Sequence, residues 1–331
     1  MKILKDDIHE AARELQMNGL VLFPTETVYG LGANALSQEA VSKIFKVKGR
    51  PSNNPLIVHL KSVDEITKYA YIQNDVEKKL IDTFMPGPFT IILKKRDCIP
   101  SNVTCSMDTV GIRVPNNKLA NQLLCLSDVP IAAPSANLST KPSGTKVSDI
   151  IKDFDGLVPY IIDGGDTLVG LESTVVKVID GVPTILRPGF VTKEEIEKVC
   201  LKCNVINEVL NPPKTDKVES PGVLFKHYAP KSPCLLVYSN DSKKLKGLIT
   251  DNLTDKTLII GSDNVKDIPC YKFLHYGNSY EEIAHNIYAL LREADKYNPT
   301  LIIIEGVKME GLGLAIMNRL LRSAGFNYLQ R

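Results

Sequence analysis

Apolar runs alternate with amphipathic segments along most of the chain, which predicts strands and helices in alternation. Ile8, Ala11, Ala12 and Leu15 recur at helical spacing, whereas the uninterrupted apolar run at 20–23 has the length of a buried strand. The same criteria predict strands at 20–23, 56–60, 89–93, 110–114, 131–133, 160–163, 173–179 and 184–186, and helices at 6–18, 37–48, 62–65, 75–84, 118–126 and 192–203. This alternation is typical of a layered α/β or α+β domain.

A change of composition divides the chain. Residues 211–217 are polar and rich in proline, as in a linker, and the segment that follows carries His227 and Tyr228, which a pure spacer does not need. From Cys234 onward strands and helices alternate again, which predicts a small three-layer α/β domain with a parallel sheet, similar to a Rossmann fold. We therefore expect a domain at 1–205, a linker at 206–232 and a second domain at 233–331.

Polar stretches follow several predicted strands of the first domain. They are the loop at 24–32 with Thr27, the basic loop at 46–55 with Lys48 and Arg50, the serine-rich loop at 135–145, the stretch at 171–174, and Arg187. Hydroxyl, amide and guanidinium groups together suit a phosphate-bearing ligand, because they offer forked donors and a positive field. No Walker loop and no G-x-G-x-x-G after a strand is recognisable, so a nucleotide would be bound in another way.

Each of these stretches also has a plainer interpretation. The loop at 24–32 is an ordinary Pro/Gly turn if its threonines are exposed, although its glycines would also let the backbone approach another group closely. The basic loop is a solvated run of charges if its side chains point to water. If that loop is extended, Lys48 and Arg50 lie on one face.

Two polar residues interrupt otherwise apolar strands. Arg113 lies in the strand at 110–114, and a buried arginine requires an anionic partner, which is a carboxylate of either the protein or a ligand. His59 lies in the strand at 56–60, where a histidine is more often a satisfied core residue than a ligand-binding one.

Charge and cysteine content narrow the class of protein. A net charge of +2 argues against a broad basic surface for nucleic acid, but it is compatible with a local basic cluster. The seven cysteines are scattered, and Cys200 and Cys203 form a C-x-x-C pair that is either two buried thiols or a redox or metal site without a second ligand pair. With a charged N-terminal segment and no long apolar run, we expect no signal peptide, no membrane span and a cytoplasmic location.

Six ordered motifs together resemble the YrdC-like family of threonylcarbamoyl-adenylate synthases. They are Pro24-Thr25-Glu26-Thr27-Val28-Tyr29-Gly30-Leu31-Gly32, Lys48-Gly49-Arg50-Pro51, Asn54-Pro55-Leu56, Pro134-Ser135-Ala136-Asn137, Ser173-Thr174-Val175 and Leu186-Arg187-Pro188-Gly189. Ser220-Pro221-Gly222 with His227-Tyr228-Ala229-Pro230 is similar to the linker of the two-domain members. The resemblance implies a YrdC-like twisted open sheet with helices, followed by a small Rossmann-like domain. Ser139-Thr140 and Ser143-Gly144-Thr145 depart from the family's usual Ser-Gly and Ser-Pro-Thr, which affects only the expected loop geometry.

The resemblance also implies an activity, that of an L-threonylcarbamoyladenylate synthase. L-Threonine and bicarbonate would form a carbamate, whose carboxylate attacks the α-phosphate of ATP with the help of Mg²⁺ and releases pyrophosphate. The product would pass to a tRNA threonylcarbamoyl-transferase complex, which modifies an adenosine beside the anticodon. We expect Mg²⁺ to arrive with ATP, no metal bound by protein side chains, and weak or absent direct binding of tRNA.

Site residues follow by position from the same resemblance. Thr27, His59, Arg113 and Ser173 correspond to the residues that bind threonine and bicarbonate, and Arg50, Asn54, Ser135, Ser143, Arg187 and Tyr228 to those that bind ATP. Lys48, Arg50 and Arg187 would be catalytic, because cations stabilise the charge that develops on a transferring phosphoryl group. The linker would fold over the cleft and exclude water.

Two other functions are compatible with parts of the sequence. An RNA-binding module without catalysis would bind tRNA with a steep salt dependence and leave ATP intact, but the net charge and the lack of aromatic residues in the basic loops disfavour it. A carbamoyl-transfer or hydrogenase-maturation enzyme would carry zinc-finger cysteines and an acylphosphatase module, neither of which is recognisable here.

Overall fold

A computed structural model describes residues 1–212 and 228–330. The chain forms two compact units. Residues 1–139 and 143–209 belong to the first, and residues 140–142, 210–212 and the described residues from 228 onward belong to the second. Most of the predicted linker, including His227, lies outside the described residues.

The first unit contains most of the predicted helices and strands. In chain order these are β1 (Lys2–Leu4), α1 (His9–Gln16), β2 (Val21–Phe23), β3 (Gly30–Asn34), α2 (Gln38–Lys48), β4 (Ile57–His59), α3 (Ile66–Tyr69), β5 (Ala70–Tyr71), α4 (Asp75–Phe84), β6 (Phe89–Lys95), α5 (Ser101–Thr104), β7 (Thr109–Arg113), α6 (Lys118–Ser127), β8 (Ile131–Ala133), α7 (Val147–Phe154), β9 (Tyr160–Ile162), β10 (Thr174–Ile179), β11 (Val182–Arg187), α8 (Lys193–Cys200) and β12 (Asn204–Val205). Short 3₁₀ helices occur at Val63–Glu65 and Asn207–Val209.

These strands form one twisted mixed sheet of twelve strands. Its order is β1-β9-β2-β3-β8-β4-β7-β6-β10-β11-β12, with β5 paired to β6. Successive side chains of β2 point to opposite faces, so Leu22 enters one apolar cluster while Val21 and Phe23 enter another with Leu15 and Leu123 of the helices α1 and α6. The predicted α/β class with an open, helix-covered sheet is confirmed.

The glycines of the loop at 24–32 have a different role from the one expected. Gly30 and Gly32 lie in β3, which pairs with β2 as an antiparallel hairpin. A Cβ atom on Gly30 would lie 2.9 Å from the ring of Phe23, and one on Gly32 would lie 2.8 Å from Cγ2 of Ile131. The missing side chains of these glycines therefore leave room for neighbouring core side chains, not for a ligand.

The basic loop is not the extended segment that the sequence suggested. Helix α2 continues to Lys48, and Gly49 ends it in the left-handed conformation with φ of 61°. Lys48 is consequently the last residue of a helix, and Arg50 follows the left-handed Gly49. Both are buried, at 3% and 9% exposure, so the interpretation as a solvated charge run is wrong for these two residues.

Side-chain caps begin some of the predicted helices. Ser37 accepts a hydrogen bond from the amide of Ala40, and Thr192 forms a full capping box with Glu195. Ser62 has the capping-box spacing to Glu65, but it makes no side-chain cap, and the segment after it begins as a 3₁₀ helix. The elements β1, β3, β5, α5, α7 and β12 were not predicted.

The second unit is a three-layer domain with a parallel sheet, as predicted. Its elements are β13 (Cys234–Tyr238), α9 (Ser242–Thr250), β14 (Thr257–Gly261), β15 (Lys272–His275), α10 (Tyr280–Ala294), a 3₁₀ helix (Asp295–Tyr297), β16 (Leu301–Glu305), α11 (Leu312–Ser323) and β17 (Tyr328–Gln330). The strand order is β15-β14-β16-β13-β17, and β17 was not predicted. Within residues 1–212 and 228–330, no helix has the length and apolar character needed to cross a membrane.

A substitution tests the close packing behind Arg187. Gly189 follows β11, and a Cβ there would lie 2.4 Å from the amide nitrogen of Thr174 and 2.5 Å from the carbonyl oxygen of Glu172. Because backbone atoms cannot yield as a side chain does, we expect Gly189→Ala to lower the free energy of unfolding by about 1–3 kcal/mol. The measurement is the denaturant midpoint of unfolding.

Gly247→Ala is the matched control, since Gly247 lies in α9 with open space around it. This variant should leave the free energy of unfolding unchanged or raise it by up to about 1 kcal/mol. Equal midpoints for the two variants would contradict the packing argument.

Candidate active site

Strand register sets the framework of the site. Strands β4 and β7 are parallel, and their last residues, His59 and Arg113, are partners. Strand β8 runs antiparallel to β4 and places Ile131 opposite His59. Because the sheet is mixed, β4 and β7 end at the opposite edge from β2. The loop between β2 and β3 therefore folds back to bring Thr27 to Arg113.

Arg113 is the centre of a buried polar cluster. Its Nη1 donates a hydrogen bond to Oγ1 of Thr27 at 2.9 Å, and its Nε donates to the carbonyl of Gly87 at 3.3 Å. Its Nη2 lies 2.7 Å from Oε1 of Glu26, with the two side chains 4% and 9% exposed. The sequence left open whether a carboxylate of the protein or of a ligand pairs with Arg113. In the structure, the protein supplies one, the carboxylate of Glu26.

Glu26 is a site residue that the sequence did not assign. Its contact with Nη2 of Arg113 is close, but neither that nitrogen nor Oε1 meets hydrogen-bond geometry there. Both carboxylate oxygens are buried, and neither accepts a hydrogen bond from the described part of the chain. A buried polar group without a hydrogen bond costs about 1–3 kcal/mol. The carboxylate is thus paired by charge while both its oxygens retain accepting capacity.

The hydroxyl of Thr27 has a defined hydrogen-bond direction. Oγ1 of Thr25 donates to the carbonyl of Val28 at 2.6 Å, which uses its single hydrogen. The 2.8 Å bond between the hydroxyls of Thr25 and Thr27 must then be donated by Thr27. Thr27 also accepts from Arg113, so its hydroxyl has only acceptor capacity left for any further partner.

His59 is a neutral histidine inside the sheet. It is 4% exposed, its Nδ1 lies 3.3 Å from the carbonyl of Ile131, and its ring packs edge-on against Phe23 at 5.9 Å. Burial, and next the positive charge of Arg113, lower the pKa of His59 to about 3. The imidazole therefore carries no charge at neutral pH.

Arg187 holds Ser173 at the start of β10. Its Nη2 donates to the carbonyl of Ser173 at 2.9 Å and to the Oγ of the same residue at 3.2 Å. Thr90, on the neighbouring strand β6, shares a 2.8 Å hydrogen bond with that hydroxyl. Thr90 was not predicted, and only the parallel register of β6 and β10 brings it there.

Lys48 clamps the serine-rich loop. Its Nζ donates to the carbonyl of Ser135 at 2.6 Å and to the carbonyl of Asn137. The hydroxyl of Ser135 donates to Oδ1 of Asn137 at 2.6 Å. Arg50 is held in a comparable way by the carbonyls of Asn54 and Pro55, at 3.3 and 3.1 Å.

Two further predicted residues have defined surroundings. Ser143 is fully buried, and its hydroxyl donates to Oε1 of Glu172 at 2.6 Å. Glu172 was part of a polar stretch singled out in the sequence, but it had no assigned role. Asn54 is 5% exposed, and its Oδ1 accepts no hydrogen bond from the described residues.

Tyr228 belongs to the second unit, where it is 2% exposed and its ring lies 5.1 Å from that of Tyr288. The contacts of the first unit thus join Thr27 with Arg113, Ser173 with Arg187, Lys48 with Ser135, and Arg50 with Asn54. Ser143 pairs with Glu172, which lies next to Ser173 in the chain.

Among the described residues, the cysteines and other metal-binding side chains form no recognisable metal centre. In the part of the chain that the structure describes, no three His, Cys, Asp or Glu side chains are grouped so that they could hold a metal ion. Burial raises the pKa of the Cys203 thiol to about 12, which is the reverse of what a reactive cysteine requires.

Comparison with known proteins gives the same family over both parts of the chain. A model for the Sua5, YciO and YrdC proteins, described as telomere recombination, matches residues 13–189. A second model, described as the C-terminal domain of threonylcarbamoyl-AMP synthase, matches residues 191–325.

Relatives match along almost the whole chain. A threonylcarbamoyl-AMP synthase of Pyrococcus abyssi is 40% identical across 98% of this chain and 95% of its own, and one of Bacillus subtilis is 40% identical across 96% and 93%. The crystal structure of P. abyssi Sua5 complexed with L-threonine has a TM-score of 0.94 and 38% identity, covering 99% of this chain and 98% of that one. The chain belongs to the threonylcarbamoyl-AMP synthase family, in its two-domain form.

Proposed function

We propose that this protein is an L-threonylcarbamoyladenylate synthase, a nucleotidyltransferase that converts L-threonine, bicarbonate and ATP into threonylcarbamoyl-AMP and pyrophosphate. The observation that carries the proposal is the buried cluster in which Arg113 holds Thr27 and Glu26 beside neutral His59. An amino acid carries a carboxylate and an ammonium group, and this cluster offers a cation and an anion in contact. Membership of the threonylcarbamoyl-AMP synthase family supports the same reaction.

On this proposal Thr27, His59, Arg113 and Ser173 bind threonine and bicarbonate. Arg113 contributes both its charge and the position of Thr27, because its Nε and Nη1 donate to Gly87 and Thr27. The fork that would grip a substrate carboxylate at two points is therefore partly used by the protein itself. Neutral His59 adds shape and polarity without repelling the positive end of the amino acid.

In the first unit the proposed ATP-binding residues are Arg50, Asn54, Ser135, Ser143 and Arg187, with Lys48, and Tyr228 of the second unit is assigned to ATP by the family resemblance alone. The hydroxyls of Ser135 and Ser143 donate to Asn137 and Glu172, so toward a ligand they act as acceptors. Nucleoside hydroxyls and amines are donors that match them, and the buried Oδ1 of Asn54 is a further acceptor. The cationic side chains of Arg50 and Arg187 would then bind the phosphates.

The chemical step requires no nucleophile from the protein. An oxygen of the carbamate attacks the α-phosphorus of ATP, the bond from that phosphorus to the bridging oxygen breaks, and pyrophosphate leaves. Mg²⁺ arrives as part of the substrate MgATP and offsets charge on the phosphate oxygens. Lys48, Arg50 and Arg187 contribute by holding positive charge in fixed positions near the phosphoryl group.

The product would be consumed by a transferase complex that acts on tRNA. An activated mixed anhydride is short-lived in water, so its consumer must act nearby in the same compartment. Seven free cysteines suit the reducing cytoplasm, where we place the protein.

The first test is incorporation of radiolabelled bicarbonate into an AMP adduct. With MgATP and L-threonine present, we expect labelled adduct and pyrophosphate to form in equal amounts, and omission of threonine or bicarbonate to abolish both. Absence of label from a folded preparation would contradict the proposed reaction. Tight tRNA binding with a steep salt dependence and no ATP turnover would indicate an RNA-binding module instead.

The second test is Arg113→Lys, which keeps a positive charge but loses the guanidinium fork. We expect KM for threonine to rise roughly tenfold or more while KM for ATP changes less than about threefold. Alanine is a poorer choice, because it would leave Glu26 buried without its charge partner at a cost of about 3–5 kcal/mol. We therefore expect Arg113→Ala to destabilise the fold.

The matched control is Arg96→Lys, because Arg96 also donates through Nε to a backbone carbonyl, that of Thr67, but its bond is exposed. This variant should keep both KM values. An Arg113→Lys enzyme with an unchanged KM for threonine would remove Arg113 from the threonine site.

A further inference from the structure

We infer that Glu26 is a catalytic residue, which accepts the proton that threonine's α-ammonium group must lose to become a carbamate. The inference rests on the proposed function, because it concerns the first half of that reaction. Glu26 lies in the loop between β2 and β3, one residue before Thr27.

The state of the Glu26 carboxylate is the first observation. The residue is 8% exposed, and both of its oxygens are buried without a hydrogen-bond donor among the described residues. Arg113, 2.7 Å away, supplies the opposite charge that allows a carboxylate to be buried in ionised form. A structural carboxylate is normally saturated by donors. Glu77, equally buried at 5% exposure, accepts a 2.6 Å hydrogen bond from the amide of Gln73.

The direction of the Thr27 hydroxyl is the second observation. Its hydrogen is committed to Thr25, and it accepts from Arg113, so it presents only acceptor capacity. Two adjacent residues, Glu26 and Thr27, therefore offer acceptors and no donors. An ammonium or amine group, which is rich in N–H donors, complements this pair better than a carboxylate does.

The chemistry requires a base at this point. The α-amino group of threonine is mainly protonated at neutral pH and has no lone pair to attack carbon. In the proposed step R–NH₃⁺, HCO₃⁻ and the Glu26 carboxylate give R–NH–COO⁻, H₂O and protonated Glu26. The nitrogen–carbon bond forms, the carbon–hydroxyl bond breaks, the hydroxyl leaves as water with one nitrogen proton, and a second nitrogen proton stays on Glu26 until solvent removes it.

Neighbouring titratable groups do not replace Glu26 in this role. Arg113 from β7 faces the carboxylate and is a permanent cation. His59 from β4 faces Arg113, and its pKa of about 3 makes the neutral ring a weak base at neutral pH. Thr25 and Thr27 do not titrate.

The test compares Glu26→Gln and Glu26→Asp with Glu77→Gln, the control at an equally buried glutamate. For each, kcat/KM for threonine is measured by bicarbonate incorporation with saturating MgATP from about pH 6.5 to 9.5. At pH 7 we expect Glu26→Gln to lose about 10²–10⁴-fold. The loss should shrink by about tenfold per pH unit, because free amine then forms without a protein base. Glu26→Asp should lose less than about tenfold and keep the wild-type pH dependence, and Glu77→Gln should match the wild type.

The pH dependence separates catalysis from structure, because partial unfolding lowers the rate by one factor at every pH. A Glu26→Gln enzyme that keeps more than about a third of the activity at pH 7, or that is depressed equally throughout, would overturn the assignment. If Glu26→Gln does not fold, Glu26→Asp decides, and loss of its wild-type pH dependence would overturn the assignment. Failure of the proposed function is distinguishable, since the wild type itself would then incorporate no bicarbonate.

Discussion

The buried charge of Arg113 is the constraint on which the arrangement of the site depends. A guanidinium group at 4% exposure inside an apolar sheet requires partners for its charge and its N–H groups. Thr27, Glu26 and Gly87 supply them. The loop between β2 and β3 is thereby fixed over strands that end at the other edge of a mixed sheet. Backbone hydrogen bonds that the amides of Val169 and Gly170 donate to the carbonyls of Glu26 and Thr27 hold the same loop.

Once that loop is fixed, the directions of its hydrogen bonds follow from counting hydrogens. Each hydroxyl has one hydrogen, and Thr25, Thr27, Ser135 and Ser143 each give it to another group of the protein. A set of residues that reads in sequence as a collection of donors for phosphate is therefore mostly a set of acceptors. On the proposed assignments, the donors for phosphate are the cationic side chains, and the hydroxyls meet the amine and hydroxyl groups of the two substrates.

The sequence predicted long amphipathic helices and apolar strands well, because those patterns arise from burial on one face or both. Helix α4 forms at the predicted residues, and so does strand β8. The hydrophobic pattern did not predict the features that depend on contacts between residues distant in the chain. Strand β3 contains two glycines and was assigned to the loop, because only the ring of Phe23 and the side chain of Ile131 explain them. Glu26 and Thr90 were missed for the same reason, since the partners that define them are about 85 residues away in the chain.

On the proposed assignments, the pairing of Arg113 with Glu26 matches the charge of the substrate that it would bind. The carboxylate of Glu26 offsets the charge of Arg113. Threonine enters as a zwitterion with no net charge. A neutral ion pair can bind both ends of a zwitterion, and its anionic half is then placed against the ammonium group that must be deprotonated. The ion pair with Glu26 thus stabilises the buried charge of Arg113 in the sheet. On the proposed function, the same pair also supplies the anion that the first step of the reaction requires beside the ammonium group.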